Sequence, residues 1–329
     1  DIKFSTLDLV PVREGGSPAQ ALRNSLDLAQ HVEKFGYNRF WVAEHHNMDG
    51  IASSATSVLI GYLAGGTSTI RVGSGGVMLP NHAPLVIAEQ FGTLESLYPG
   101  RIDLGLGRAP GSDQMTARAL RRERSGSADD FPEDVAELVR YLGPRTPDQR
   151  VIAMPGTGTN VPVWLLGSSL FSAQLAGERG LPYAFASHFA PRLMHEAIRV
   201  YRNHFKPSAV LDKPYVMLGV PLVAADTDEQ AQYLATSVYQ RILALMRGQS
   251  LVQRAPVDTM DGLWLPHEKD AVMSFLGLAM VGSPEKIRAK LAVLIEQTGA
   301  DELIFTSDLY EHADRIHSYE LLAQVMKQG

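Results

Sequence analysis

Three titratable residues, Glu44, His45 and His46, follow directly after the apolar run at residues 40–43. A buried strand that ends in an acid and two histidines is typical of α/β enzymes, in which strand-end loops carry the binding and catalytic side chains. Successive side chains of an extended segment point to opposite sides, so Glu44 and His46 should share a direction that His45 does not. One metal ion held by both histidines is therefore geometrically awkward. A partly buried histidine with a purely structural role is the competing interpretation.

Glycine or serine follows three further apolar runs, at residues 73–76, 105–107 and 167–169. The pair Gly75 and Gly76 is consistent with an ordinary bulge or turn, and equally with bare backbone against which a flat ligand can lie. Four strands that each run into polar or glycine-rich residues suggest one shared site.

An anion site is suggested by Ser168 and Ser169, which precede a helical segment at residues 171–178. Backbone N–H groups at a helix N-terminus, together with two hydroxyl groups, suit a phosphate monoester. Arg108, which follows a neighbouring strand, could add the planar guanidinium group that phosphate prefers. The simpler alternatives are a serine that caps the helix and an arginine in a surface salt bridge.

The composition excludes several classes of site and partner. The formal net charge is −6 and no basic stripe is visible, which argues against a nucleic-acid partner. The chain has no cysteine, which excludes disulfides, thiolate nucleophiles, iron–sulfur clusters and cysteine-type zinc sites, and we expect no metal site. No apolar run reaches the roughly 18–20 residues of a membrane span. Because no signal peptide is visible either, we expect a cytoplasmic protein without a membrane partner.

Strand-like runs alternate with amphipathic helical segments along the whole chain. Strands are expected at residues 4–10, 39–43, 70–78, 102–107, 163–167, 183–187, 216–225 and 302–307. Helices are expected at residues 21–35, 85–98, 134–142, 192–205, 229–247 and 285–297. Short apolar strands joined by helices indicate parallel strands that are buried on both faces. Eight such repeats favour an α/β fold of the (β/α)8 TIM-barrel type, with a doubly wound open sheet as the alternative, in a single domain over residues 1–329.

Two segments fit no βα unit and are expected to be insertions. One follows the fourth strand, at residues 108–130, and contains four arginines: Arg118, Arg121, Arg122 and Arg124. The other, at residues 249–275, lies between the seventh helix and the eighth strand. Loops of this length are usually functional lids or disordered segments. The glycines at 105–111 do not form a dinucleotide fingerprint, because the third comes too late and Pro110 interrupts the helix start.

Five segments together resemble the bacterial luciferase-like family of flavin-dependent monooxygenases. They are residues 41–46, 72–80, 100–108, 177–182 and 281–285. The segments occur in the same order as in that family and span essentially the whole chain, so the set is far more specific than one motif. Within the family, the chain most resembles the single-chain alkanal-monooxygenase-like members.

The resemblance implies a TIM barrel that takes reduced FMN from a separate flavin reductase and uses O2 to oxygenate an organic substrate. His45 matches the catalytic histidine of the family, which exchanges a proton or a hydrogen bond near the reacting oxygen. Gly75 and Gly76 match a cis peptide that packs against the isoalloxazine ring. Catalysis is accordingly expected from His45, together with its neighbour Glu44.

The expected flavin-binding residues lie on or just after the predicted strands. They are Ser74, Gly75, Gly76, Arg108, Ser168, Ser169, Ser172 and His188. Arg108, Ser169 and Ser172 match positions around the flavin phosphate. The light-emitting subunits have an acid where this chain has Ser168, and they carry a reactive cysteine that this chain lacks.

We expect a two-component FMN-dependent monooxygenase that acts on a small, largely apolar aldehyde or other carbonyl compound. An F420-dependent hydride-transfer oxidoreductase is the main alternative, since related barrels use this deazaflavin and the four arginines of the first insertion could bind its acidic tail. A non-catalytic flavin-binding protein and a metal-dependent hydrolase are further alternatives. The segments at residues 57–63 and 86–97 correspond to the dimer interface of the similar family, so a homodimer is expected.

Overall fold

The strands form one closed, parallel barrel. The computed structural model describes residues 1–109, 113–120 and 130–327. The strands in these residues are β1 (Lys3–Asp8), β2 (Arg39–Val42), β3 (Arg71–Met78), β4 (Ile102–Gly107), β5 (Val163–Gly167), β6 (Tyr183–Phe185), β7 (Val216–Ala224), β8 (Met280–Gly282) and β9 (Glu302–Thr306).

Eight of these strands close the barrel in the order β1–β2–β3–β4–β5–β6–β7–β9, with β9 next to β1. The neighbouring strands are parallel, as in the pairs Tyr183 with Val216 and Lys3 with Glu302. An open sheet would leave two unpaired edges, whereas here β6 pairs with β7 and removes them. The predicted (β/α)8 barrel is therefore confirmed.

Helices follow the strands and cover the outer face of the barrel. Outward-facing strand residues such as Phe40 and Leu104 share one buried cluster with helix residues such as Leu28 and Phe91. In the described residues no helix has the length and apolar character needed to cross a membrane. The helices of this part of the chain are α1 (Pro18–Phe35), α2 (Thr56–Gly65), α3 (Pro84–Leu97), α4 (Gln114–Leu120), α5 (Phe131–Leu142), α6 (Leu170–Glu178), α7 (Met194–His204), α8 (Asp228–Met246), α9 (Pro266–Phe275), α10 (Pro284–Thr298) and α11 (His312–Lys327).

Capping residues explain the bounds of α1. Ser17 accepts a hydrogen bond from the Gln20 N–H at 3.2 Å, and Pro18 occupies the first turn. Gly36 ends the helix in the left-handed region, with φ at 92°. The expectation that this helix begins at residue 21 is wrong by about one turn, because the apolar period starts after the cap.

The second insertion contains regular structure that the sequence patterns did not predict. It includes α9, and it leads into β8, which in the described residues pairs with the end of β7 alone, at Leu222 and Met280. Trp264 stacks on Tyr239 of α8, with ring centroids 5.9 Å apart. This segment therefore packs against α8 through an aromatic contact, and the added strand β8 follows it.

The first insertion is described in part. Its helix α4 contains Arg118, which is exposed. The other three arginines that could bind an acidic cofactor tail, Arg121, Arg122 and Arg124, lie outside the described residues.

Buried charges fill the amino-terminal end of the barrel interior. Arg39 donates hydrogen bonds to Asp103 at 2.8 Å and to Glu302 at 3.0 Å. Arg71 donates two more to Asp103, and the Tyr215 hydroxyl donates one to Glu302 at 2.7 Å. Both carboxylates are fully buried, and the donors named so far come from β2, β3 and the residue before β7. The Ser5 hydroxyl of β1 also donates to Glu302, at 2.6 Å. The network therefore ties neighbouring and opposite strands together.

An apolar layer lies above these charges. Trp41 and Trp164 meet edge to face at 5.1 Å, and the Trp41 indole also donates to Asp103 at 3.1 Å. Gly73 is required beside Asp103, because a Cβ there would lie 2.5 Å from the Asp103 carbonyl oxygen. The filled interior leaves the carboxyl ends of the eight strands, called here the barrel mouth, as the place for a ligand.

Replacing Arg39 with methionine should lower the free energy of unfolding by about 3 kcal/mol, because two buried carboxylates lose a shared cation. Urea unfolding followed by circular dichroism measures the change. The matched control is Arg13→Met, since the Arg13–Glu311 pair is exposed by 46% and 55%; its cost should be about 0–1 kcal/mol. Equal losses in the two variants would contradict the structural role of the network.

Candidate active site

A single carboxylate, Glu44, holds together the loops that follow β2 and β3. Its Oε2 accepts hydrogen bonds from His46 Nε2 at 2.7 Å and from Asn81 Nδ2 at 3.1 Å. Its Oε1 accepts from His82 Nε2 at 2.8 Å and from the Met78 N–H at 3.1 Å. Glu44 and His46 thus point the same way, as the alternation of side chains predicts.

These contacts keep Glu44 ionised. Burial by itself would raise the pKa of the carboxyl group, but hydrogen bonds from His82, His46 and Asn81 outweigh burial and lower this pKa below its usual value. A carboxylate that four donors engage is better suited to fixing a loop than to exchanging a proton. In this geometry Glu44 is the support for the adjacent His45.

His45 has a ring nitrogen without a protein partner. Its backbone N–H donates to the Ser53 carbonyl at 2.9 Å, which holds the loop, whereas Nδ1 is buried and has no hydrogen-bond partner in the described residues. Burial, and then the positive charge of Arg241, lower the pKa of His45 to about 4. At neutral pH the ring is therefore uncharged, and a ligand can complete its hydrogen bonding.

His188, which follows β6, is a second group of the same kind. Its ring packs over Gly219 of β7, where a Cβ would collide with the imidazole. Within the part of the chain that the structure describes, its buried Nδ1 has no partner. Burial and the nearby His45 lower the pKa of His188 to about 4. The barrel mouth thus brings together two neutral histidines from β2 and β6.

The glycine-rich segment at residues 73–76 lies inside β3, in agreement with the strand expected at residues 70–78. The pairing with β4 shifts register between Ser74 and Val77, so the segment is a bulge. The peptide bond between Gly75 and Gly76 is cis, as the resemblance implies. The buried Ser74 hydroxyl donates to the Gly105 carbonyl and accepts from the Gly105 N–H, both at 2.9 Å, and so stabilises the bulge. Gly75 retains accessible surface, which leaves backbone available to a ligand.

The N-terminus of α6 lies beside Arg108. Ser169 caps this helix by accepting a hydrogen bond from the Ser172 N–H at 3.4 Å. The Arg108 guanidinium packs over the Phe171 ring at 4.1 Å, which brings its charge to the first turn. Ser168 is half-buried before the cap, and Ser172 is buried inside the turn. A helix N-terminus with an adjacent arginine can stabilise an anion such as a phosphate.

The sequence patterns missed a buried ion pair at the barrel mouth. Arg241 of α8 is 7% exposed, and its Nη1 lies 3.1 Å from Oδ2 of Asp308, which follows β9. A signal was present, because Arg241 falls on the apolar stripe of its helix at helical spacing. That stripe consists of Ala231, Leu234, Ala235 and Val238.

His82 was also missed, and no pattern in the sequence marks it. Its position depends on a short 3-10 turn over Leu79–Asn81, which brings it back to Glu44. Among the described residues, no group of three or more histidines, aspartates or glutamates could hold a metal ion.

The comparisons with known proteins agree with this fold. The model of the luciferase-like monooxygenase family matches residues 2–302. The chain belongs to this family. A luciferase-like monooxygenase of Escherichia coli strain K12 is 54% identical over 327 residues, which cover 99% of this chain and 98% of the relative. The crystal structure of apo-MsnO8 is 35% identical, with a TM-score of 0.87 and coverage of 100% and 99%. The prediction of a flavin-dependent, luciferase-like monooxygenase is confirmed.

Other proteins similar to this luciferase-like monooxygenase differ in what they bind. N-acetyl-S-alkylcysteine monooxygenase of Bacillus subtilis strain 168 is 33% identical over 334 residues, covering 99% of this chain and 98% of that protein. Two more distant structures share the fold alone. The oxygenating constituent of 3,6-diketocamphane monooxygenase, in complex with FMN, has a TM-score of 0.71, 17% identity and coverage of 98% and 97%. An F420-dependent secondary alcohol dehydrogenase has a TM-score of 0.66, 14% identity and coverage of 99% of each chain.

The half-buried histidines His45 and His188 of this luciferase-like monooxygenase should remain neutral until the pH approaches 4, as an NMR titration of the ring protons can measure. Their pKa values lie below the unfolded value of about 6.5. The stabilisation that the neutral rings provide is therefore complete above a pH of about 6.5, and it declines as the pH falls from there towards 4. The exposed His317 is the internal control, since its hydrogen bond to Asp226 raises its pKa. A pKa at or above 6.5 for His45 would contradict the burial argument.

Proposed function

We propose that this chain is a two-component monooxygenase, which uses O2 and reduced FMN from a separate flavin reductase to oxygenate a small, largely apolar carbonyl compound such as an aldehyde. The observation that carries the proposal is the buried Nδ1 of His45, which has no partner in the described residues and follows β2, the strand that pairs with the bulged β3. A buried polar atom without a partner destabilises the protein unless a ligand or water completes it. His188 supplies a second such atom.

A flavin mononucleotide suits these residues. Its flat ring would meet the backbone of Gly75 and Gly76, where no side chain intervenes. Arg108 and the N-terminus of α6, with Ser168 and Ser169, would hold its phosphate. This combination of a flat surface and a separate anion site supports FMN over a flavin without a phosphate.

When bound, reduced FMN supplies two electrons and activates O2, so that one oxygen atom enters the substrate and the other leaves as water. The chain's own groups position and protect that reaction. His45, uncharged and held by its loop, can hold or pass a proton at Nδ1 beside the reacting oxygen. Glu44 fixes that loop, and the nearby Arg241 disfavours a charged imidazole.

We propose a separate reductase because the glycine segments lack the fingerprint with which a chain of this kind would bind a nicotinamide donor. Reduced flavin must then reach the barrel mouth by diffusion from another protein. Because the chain would depend on such a reductase, we also propose a cytoplasmic location, where the nicotinamide donors that the reductase needs are generated.

The test of the reaction is turnover by the full chain with reduced FMN, an aldehyde series and isotopically labelled O2. The label should enter the product acid. His45→Gln should lower kcat by about a hundredfold, because the proton-handling group is lost. The control is His317→Gln, at an exposed histidine on α11, which should leave kcat unchanged. Product without the label, or full activity in His45→Gln, would refute the proposed reaction.

The phosphate site is tested by comparing the affinities of FMN and riboflavin, which differ by the phosphate alone. Arg108→Met should weaken FMN binding by about ten- to a hundredfold and leave riboflavin binding unchanged, since a charge-assisted contact is lost. Flavin fluorescence quenching measures both affinities. The exposed Arg199 on α7 gives the control variant Arg199→Met. A parallel titration with F420 decides the main alternative, which tighter binding of F420 than of FMN would favour.

We also propose a homodimer that forms through α2 and α3. Apolar side chains on these adjacent helices are accessible, including Val58 at 74%, Leu97 at 63% and Tyr62 at 44%. Exposed apolar surface on neighbouring helices is typical of a protein interface. Val58→Asp should convert a dimer mass to a monomer mass in light scattering. The control is Val210→Asp, at a valine of 71% exposure elsewhere. A monomeric wild-type chain at micromolar concentration would contradict this proposal.

A further inference from the structure

The imidazole ring of His188 lies inside the barrel, at a position of β7 that has no side chain. Leu218 and Val220 of β7 belong to the outer cluster that packs on the helices, whereas Met217 belongs to the inner cluster with the two tryptophans of the apolar layer. Because side chains alternate along a strand, Gly219 also faces the interior, one layer nearer the barrel mouth. The His188 ring packs against this glycine.

The ring meets Gly219 edge-on, with Nδ1 foremost. A Cβ at Gly219 would collide with Nδ1 and would lie 3.1 Å from Cγ and 3.3 Å from Cε1, the two ring atoms bonded to this nitrogen. Nε2 therefore lies on the opposite edge of the ring, away from β7. In the described residues Nδ1 is buried without a hydrogen-bond partner, whereas Nε2 is neither buried in this way nor hydrogen-bonded, so Nε2 is accessible.

Contacts on both sides of His188 hold the ring in place. The buried Ser187 hydroxyl donates to the Gly219 carbonyl at 2.6 Å and so fastens the turn after β6 to β7. The Phe189 N–H donates to the Ala186 carbonyl at 3.3 Å, and the Phe189 ring meets the imidazole edge to face, with centroids 4.9 Å apart. A ring held in this way loses little conformational entropy when a ligand binds to it.

The surroundings of the ring decide which nitrogen carries the proton. Burial lowers the pKa of His188 to about 4, so the neutral ring has a single N–H at neutral pH. A proton on Nδ1 would be a buried donor without an acceptor, which is costly. A proton on Nε2 reaches accessible space instead. His188 therefore presents a fixed, uncharged N–H donor at the barrel mouth.

A histidine that only fills the space beside Gly219 is the alternative explanation. An apolar side chain of similar size would fill this space without burying an unpaired nitrogen, so packing alone does not account for the residue type. The accessible Nε2 on a ring whose pKa is lowered by burial also indicates that the ring lines a recess of the barrel.

The strand order places this donor opposite the glycine bulge. In the ring of eight strands, β7 lies four places from β3 in either direction. In the proposed binding mode the flavin ring lies against Gly75 and Gly76 of β3, beside the strand that leads to His45. A substrate must lie between that ring and the far wall in order to react with the flavin. The donor on the β7 side therefore faces the substrate.

We propose that His188 is a substrate-binding residue whose Nε2–H donates a hydrogen bond to the carbonyl oxygen of the substrate. Such a bond orients the carbonyl group and draws electrons from its carbon, which favours attack at that carbon. Gly219 is the positioning residue, since a side chain there would displace the ring. The inference deepens the proposed monooxygenase function and rests on it for the carbonyl substrate. It assigns His188 to the substrate, whereas the sequence-based prediction groups this residue with the flavin.

The position of the proton is tested by nitrogen-15 NMR of the labelled full chain near neutral pH, with the His188 signals assigned by their loss in His188→Gln. The shifts should show a proton on Nε2 and none on Nδ1. A proton on Nδ1, or a charged ring, would overturn the proposal, and the spectrum that decides this is that of the wild type.

The placement of the ring is tested by combining Gly219→Ala with His188→Ala. The φ angle of Gly219 lies outside the region that favours glycine, and the ring atoms of His188 are the nearest atoms to the new methyl group. Gly219→Ala alone should lower the urea midpoint of unfolding. It should cost little in the His188→Ala background, where the space is empty. Equal losses in both backgrounds would contradict the placement.

Binding is tested by calorimetric titration, with and without oxidised FMN, using methyl ketones and the matched alkenes in which CH2 replaces the carbonyl oxygen. His188→Phe keeps a flat ring but no donor, so it should weaken ketone binding about three- to tenfold and leave alkene binding unchanged. His188→Gln should restore part of the ketone affinity, since its amide N–H can replace Nε2–H. The control is His195→Phe, at an exposed histidine of α7, which should bind both like the wild type.

Three results would overturn the assignment. They are an equal loss of ketone and alkene binding in His188→Phe, a loss of FMN affinity in that variant, and no measurable ketone binding by the wild type. Turnover separates this inference from the proposed function. Ketone binding that depends on His188, without oxygenation of any carbonyl compound, would refute the proposed function but support the donor. Oxygenation of a ketone with the same KM in His188→Phe and the wild type would do the reverse.

Discussion

Two buried carboxylates, Asp103 and Glu302, determine how the barrel interior is filled. Neither is accessible to water, so each depends on hydrogen bonds from arginines and a tyrosine on other strands. A buried charge tolerates few geometries, and the network therefore fixes the strands at the amino-terminal end. Tryptophans fill the layer above. A ligand can enter where neither layer reaches, at the carboxyl ends of the strands.

At the barrel mouth, some buried polar groups have all their hydrogen-bond partners and others do not. Glu44 is saturated with donors and therefore holds its neighbours still. The Nδ1 atoms of His45 and His188, in contrast, are buried and have no hydrogen-bond partner among the described residues. Unsatisfied groups on a rigid support lose little entropy when a ligand arrives, so their interaction energy is available for binding and orientation.

The sequence predicts what depends on local pattern. Alternating apolar runs and helical periods were sufficient to predict the barrel, and the ends of the apolar runs were sufficient to place His45, Arg108 and Ser169 after β2, β4 and β5. The start of α1 was misplaced because a serine cap and a proline carry no apolar period. The three-residue strand β8 is too short to show alternation, and the bulge in β3 depends on pairing with β4.

Long-range contacts account for the other differences. His82 reaches Glu44 across 38 positions of sequence, and nothing in either local segment indicates the contact. Arg241 was visible as a charge on an apolar helix face, but its partner Asp308 lies 67 residues further on, as 308 minus 241 gives. Such pairs become interpretable once the barrel closes and brings α8 over the end of β9.

A crystal structure of the full chain with bound FMN tests the central claim most directly. We expect the flavin ring against Gly75 and Gly76, its reactive face towards His45, and its phosphate between Arg108 and the N-terminus of α6. A flavin bound elsewhere on the chain, or one whose phosphate lies away from α6, would contradict it.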